Sequence, residues 1–165
     1  FVAATNANDT VPRFLDSGNY EPRPSVQTLA NAMDVGNPSN WVRIQDLFGQ
    51  DLDALRAIIK TYTYDDEATK KGMQEMYDEY HYIGCPHTAI AYLAGKENRA
   101  DHPGEYASIL LSTAHACKFS DAIPAEIFDQ VELPKGAEAF SAKQKQATEL
   151  NADYDLFKAY LLENR

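Results

Sequence analysis

The chain has 165 residues and lacks any apolar run near the ~18 needed to cross a membrane. It lacks a basic excess as well: 25 acidic residues against 15 basic ones leave a formal net charge of −10. That balance speaks against nucleic acid or an anionic membrane as partner. Only two cysteines are present, too few for a secreted disulfide framework, so the reading is a cytoplasmic protein with reduced thiols. No signal peptide is visible in the sequence, because the polar Thr5-Asn6-Ala7-Asn8-Asp9 interrupts the apolar start. The eight glycines are scattered and form no glycine-rich phosphate loop. Internal repeats and low-complexity tracts are also absent. What remains is one domain's length of chain, enough to bury about two-thirds of its unfolded surface.

The pattern of what is present is mostly helical. Phe1 to Thr5 reads as a short buried strand, and a chain opening inside a core strand reads as the carboxy-terminal part of a longer protein. Asn8-Asp9 caps a helix that Gly18 ends, and Asn37-Pro38 starts another carrying Trp41, Ile44, Leu47 and Phe48. Leu52, Leu55, Ile58, Ile59 and Tyr62 mark a further helix, and Met73, Met76, Tyr77 and Tyr80 share a face of the one after Asp65. Pro86 opens a short helix expected to stop at Gly95. Tyr106 to Leu111 is expected to be a second strand, and Tyr154, Phe157, Tyr160 and Leu161 predict a terminal amphipathic helix. Two strands among many helices read as part of an α/β sheet.

The chemistry concentrates in two places. At the end of the expected second strand, Thr113, His115, Cys117 and Lys118 bring a hydroxyl, an imidazole, a thiol and an ammonium to what would be the carboxyl edge of a sheet, where ligands bind. After the first strand, Asn6, Asn8 and Asp9 supply donors and acceptors suited to orienting a zwitterionic amino acid or a phosphate ester. Helix capping accounts for one of these residues but not the cluster. Cys85-Pro86-His87 and His115-Ala116-Cys117 contain the ligand types of a zinc site, but the single intervening residue in each pair does not match zinc spacing. His115 could serve Cys117 as a base, and Cys85 at a helix cap could favour thiolate; a buried structural role accounts for both thiols more simply.

ATNANDTVPRFL (Ala4 to Leu15) resembles the start of the carboxy-terminal half of threonine synthase. TLANAMDVGNPSNWVR (Thr28 to Arg43), PHTAIAY (Pro86 to Tyr92) and PGEYASILLSTAHACKF (Pro103 to Phe119) match that family in the same order. The resemblance covers most of residues 1–119, and the tail from 120 to 165 is similar only in helical character. It implies α/β architecture: the carboxy-terminal portion of a fold-type-II pyridoxal-phosphate enzyme, with few parallel strands and many helices. The implied reaction converts O-phospho-L-homoserine and water to L-threonine and phosphate.

Carried over by position, the resemblance sets Thr113 against the pyridine nitrogen of pyridoxal 5'-phosphate and Asn6, Asn8 and Asp9 near the substrate. It places the Schiff-base lysine and the phosphate loop in an amino-terminal part of the same polypeptide, upstream of Phe1, so Lys118 is not that lysine. The chain departs from the family at Ala30, where serine is common, at Cys85, where an acidic cap is common, and at Ala116-Cys117, where proline and a small residue are common. The competing readings are a serine or threonine dehydratase of the same fold, against which NDTVPRFL and AMDVGNPSN argue, and a non-catalytic helical or zinc-stabilised binding module.

Overall fold

The computed structural model describes residues 1–165 except Gln50, Ala142 and Arg165. Its only sheet among those residues has two parallel strands, β1 (Val2–Thr5) and β2 (Lys60–Thr63), in register from Val2 opposite Lys60 to Thr5 opposite Thr63. Between them run α1 (Thr10–Ser17), a short 3-10 turn at Asn31–Met33, α2 (Trp41–Phe48) and α3 (Leu52–Ile58). After β2 come α4 (Asp66–Tyr80) and α5 (Pro86–Asp101), which pack on each other, with α5 also lying against both strands. A 3-10 segment, Ala116–Ala122, leads to the single turn α6 (Ala125–Phe128). No helix among the described residues is long and apolar enough to cross a membrane.

The chain divides into two compact units, Phe1–Glu132 and Leu133–Arg165. The first has a core of Met73 and Met76 from α4, Ala89 and Tyr92 from α5, and Ile123 and Ile127 from the segment that follows. A second cluster joins Leu15, Trp41 and Leu55, one residue from each of the first three helices. The other unit contains α7 (Lys135–Ser141) and α8 (Tyr154–Glu163). Asp153 caps α8 by accepting from the Leu156 amide at 2.9 Å.

Five expectations need correction. The helix expected to start at Asn37-Pro38 begins only at Trp41, with Asn40 at its cap. The opening strand is not buried in this chain: Phe1 and Val2 are exposed and the rest of β1 is half-buried. The helix through Leu52 stops at Ile58, and Tyr62 belongs to strand β2. The β-branched and aromatic run Thr61-Tyr62-Thr63 suits a pleated edge, and the β1 backbone is there to receive it: the Lys60 amide donates to the Phe1 carbonyl at 2.9 Å. The helix from Pro86 does not stop at Gly95 but runs on to Asp101. A Cβ at Gly95 would stand 3.2 Å from Leu110 Cδ2, so this glycine makes room for the chain crossing the helix instead of ending it.

The last correction concerns Tyr106 to Leu111, which forms no strand and joins no sheet ladder among the described residues. Among the described residues no strand lies beside it, and Ile109 and Leu111 are 87% and 76% exposed. Side chains hold the segment instead. Arg99 donates to the Tyr106 carbonyl at 2.8 Å, and the Tyr106 hydroxyl donates to the His102 carbonyl at 2.8 Å.

Gly18 ends α1 as the sequence suggests, with φ of +80° and its amide donating to the Phe14 carbonyl at 2.8 Å. An alanine there would enter the left-handed region with its Cβ 3.1 Å from Leu52 Cδ2. Gly18→Ala is therefore expected to cost about 1 kcal/mol of stability, read as a lower urea midpoint at unchanged slope. A midpoint equal to or above that of the unaltered protein would show that the cap tolerates a side chain.

Candidate functional site

The carboxyl end of β1 delivers Asn6 into a buried hydrogen-bonded cluster. Its Nδ2 donates to Thr28 Oγ1 at 3.0 Å and to Asp34 Oδ1 at 2.9 Å, while its Oδ1 accepts from the Asn8 amide at 2.9 Å and from Asn8 Nδ2 at 3.0 Å. Asn8 clasps the loop opposite: its Nδ2 donates to the Val26 carbonyl at 2.9 Å and its Oδ1 accepts from the Val26 amide at 2.8 Å. Asp34 is the hub, accepting also from the Thr28 amide at 2.9 Å and the Thr28 hydroxyl at 2.7 Å. Both side-chain amides are thus engaged within the cluster, which fastens the loop from Arg23 to Gly36 over the strand end. Gly36 is required there, since a Cβ would overlap the Arg23 carbonyl.

A cavity of about 780 Å³ opens beside this cluster, lined by Asn6, Asn8, His87, Ile90, Leu110 and Thr113 among others. That size suits a cofactor with a small substrate. Asn6, Asn8 and Thr113, distant in sequence, come together on its wall. Asp9 does not: its carboxylate pairs with Arg13 Nε at 2.8 Å and lines a separate cleft. The Thr113 hydroxyl has no protein hydrogen-bond partner among the described residues and is free to meet a ligand.

His87 is a cavity residue that the sequence reading considered only as a zinc ligand. Its Nε2 is buried without a hydrogen-bond partner, and its ring meets Phe119 edge-on at 5.2 Å. Burial holds its pKa below the ordinary imidazole value, partly opposed by the nearby Asp34 carboxylate. The sequence signal that could have found it is its place one residue inside the Pro86 helix start, in the resemblance segment PHTAIAY. Thr28 and Asp34 were also missed as partners of the asparagines, although they lie in a quoted segment.

Lys118 is exposed in the 3-10 segment and does not line the cavity. Cys85 is fully buried against Phe119 and Ala122, and Cys117 is half-buried; both are free thiols. Among the described residues no three or more His, Cys, Asp or Glu side chains group to hold a metal ion.

Residues 88–161 match the family model described as threonine synthase, C-terminal. The chain is 44% identical over 135 residues to the threonine synthase of Serratia marcescens, an alignment covering 82% of this chain and 30% of that protein. The crystal structure of threonine synthase from Escherichia coli superimposes with a TM-score of 0.83 at 36% identity, over 100% of this chain and 37% of that one. A pyridoxal-phosphate-bound threonine synthase from Brucella melitensis matches with a TM-score of 0.64 at 27% identity, over 79% of this chain and 35% of that one. The chain therefore spans about a third of the length of these relatives.

Proposed function

We propose that this chain, homologous to the carboxy-terminal region of threonine synthases, supplies one wall of a pyridoxal-phosphate site that converts O-phospho-L-homoserine and water to L-threonine and phosphate. The observation that carries the reading is the unpartnered Thr113 hydroxyl on a cavity shared with Asn6 and Asn8.

The residues present fit the pyridine edge of the cofactor. Ile90 and Leu110 offer apolar contact for a flat ring, and Thr113 offers a neutral hydroxyl. They do not supply the rest: among the described residues the cavity wall carries no lysine, and no glycine-rich phosphate cradle occurs in the sequence. Those groups would come from an amino-terminal part of the same polypeptide, which is the partner this reading requires.

When bound, the cofactor supplies the electron sink for proton removal at the substrate's α and β carbons. Thr113 Oγ1, far too weak an acid to give up its proton, would donate a hydrogen bond to the ring nitrogen and leave it unprotonated. Asn6 and Asn8, their polar groups already engaged, would act by shape, holding the loop from Arg23 to Gly36 as a fixed flank for the substrate. His87 would enter as the neutral imidazole. In this reading the protein works in the cytoplasm, where Cys85 and Cys117 stay reduced.

Two measurements check the proposal together. The full-length protein bearing this region should release phosphate from O-phospho-L-homoserine and form threonine in equal amounts. The 165-residue chain alone should release none above a no-enzyme control, because no cavity lysine is available. Phosphate release without threonine from the full-length protein would sink the reaction assignment. Release by the isolated chain, with a borohydride-stable adduct on Lys118, would sink the assignment of the lysine elsewhere.

A further inference from the structure

Thr113 sits in a stretch without sheet neighbours, so something other than a ladder must fix its hydroxyl. The chain on either side of it is tied to one place. Ser112 Oγ lies 3.1 Å from Thr88 Oγ1 on the first turn of α5 and 3.3 Å from the Tyr82 hydroxyl. His115 forms an isolated antiparallel bridge with Gly84, just before α5. Thr88 stands between the two ties: it is 3% exposed, its hydroxyl is also 3.3 Å from Cys85 Sγ, and a Cβ on Gly84 would come within 3.2 Å of Thr88 Cβ. Thr113 and Ala114 thus span a short bridge whose two ends are anchored to the same α4–α5 turn.

We propose that Thr88 is a positioning residue for the Thr113 hydroxyl, acting through Ser112. The inference rests on the reading of Thr113 as the partner of the ring nitrogen. Thr88 touches neither cofactor nor substrate. Its buried oxygen fixes where the Ser112 end of the span starts, and Gly84 fixes where it stops, so the hydroxyl between them has few positions open to it. A chain held by one side-chain tie and one isolated backbone bridge is more sensitive to one lost hydroxyl than a strand held by a full ladder.

The test uses the full-length protein loaded with pyridoxal phosphate and the variants Thr88→Val, Thr88→Ser and Thr113→Val. Thr88→Val keeps the volume and removes the oxygen. It should speed amide hydrogen exchange at Thr113 and Ala114 by about tenfold, as expected for the loss of one tether. It should lower kcat by about tenfold with KM within about twofold, the signature of misplacement and not of lost binding. The pH profile of the bound cofactor's visible absorption should move in the same direction as in Thr113→Val, and Thr88→Ser should restore all three readouts. Should Thr88→Val fold poorly, Ser112→Ala removes the same tie from the exposed side and must give the same pattern.

A folded Thr88→Val protein with unaltered exchange, kcat and absorption profile would overturn the proposal while leaving Thr113 in its role, provided Thr113→Val shifts the profile. If Thr113→Val leaves the profile unchanged, the ring-nitrogen reading fails, and the positioning role of Thr88 falls with it.

Discussion

Thr113→Asp in the full-length protein is expected to lower turnover by about a hundredfold, the scale seen when one electrostatic partner of a reacting group is made wrong. Thr113→Ser is expected to stay within a few-fold. The reasoning starts from charge. A hydroxyl beside a pyridine nitrogen is neutral and keeps its own proton, whereas a carboxylate in that place favours the protonated, positively charged ring. The change alters how strongly the cofactor draws electrons and at which carbon the resulting negative charge is held, so side products should rise as well as turnover fall.

Serine keeps the oxygen and loses one methyl group from an exposed, cavity-lining position, with little packing to forfeit. Turnover, product ratio and cofactor occupancy measured in parallel decide the matter. Equal activity of the aspartate and serine forms, with cofactor bound in both, would remove Thr113 from the ring-nitrogen role. Because Thr113 is solvent-exposed in this chain, neither substitution should change the unfolding free energy by more than about 0.5 kcal/mol. An activity loss explained by unfolding is thus separable from one explained by chemistry.

The elements legible in the sequence were those whose signals are local. Asp65 before Asp66–Tyr80, Pro86 after Cys85, and Gly18 after Ser17 mark ends through caps and backbone conformation, which need only a few neighbouring residues. Most failures were non-local, although the local Asn37-Pro38 signal also misplaced a helix start that lies at Trp41. Lys60–Thr63 is too short for periodicity to separate from the helix before it, and its strand character comes from β1, nearly sixty residues earlier. Tyr106 to Leu111 has the composition of a buried strand, yet composition cannot supply the neighbour that a ladder requires.

Which candidate residues share a cavity was more legible than what those residues bond to. Asn6, Asn8 and Thr113 were brought to one cavity wall, but nothing in the order Asn-Ala-Asn-Asp reveals that Asp34 and Val26 would absorb the asparagine amides. Asp9 lies one position from Asn8, which clasps the loop, and the helical turn carries its carboxylate round to Arg13 instead. His87 is exposed as a site residue by an unpartnered nitrogen, a property that exists only in three dimensions.

Asp34 carries the largest expected stability effect, because four hydrogen bonds converge on its carboxylate from Asn6, Asn8 and both donors of Thr28. Removing it in Asp34→Ala leaves donors stranded on Asn6 and Thr28, each 8% exposed and without ready access to water. Bonds to a charged acceptor contribute about 1.5–3 kcal/mol each, and they share one acceptor, so their losses do not add; the expected cost is about 4 kcal/mol. That is a large share of the roughly 5–15 kcal/mol that holds a domain folded. Asp34→Asn keeps one oxygen and turns the other into a donor facing a donor, so it should fall between the two.

The same substitution has a second readout that stability alone would not move. The Asp34 carboxylate favours the charged form of His87, against the burial that disfavours it. With the carboxylate gone, burial acts unopposed, and the imidazole of His87 should titrate still lower than it does in the unaltered protein. Urea unfolding gives the first quantity and the pH dependence of the His87 ring resonances gives the second. An Asp34→Ala protein within about 0.5 kcal/mol of the original would show the cluster to be dispensable. One that is destabilised but leaves the His87 titration in place would show that the hub holds the loop from Arg23 to Gly36 without reaching the cavity wall.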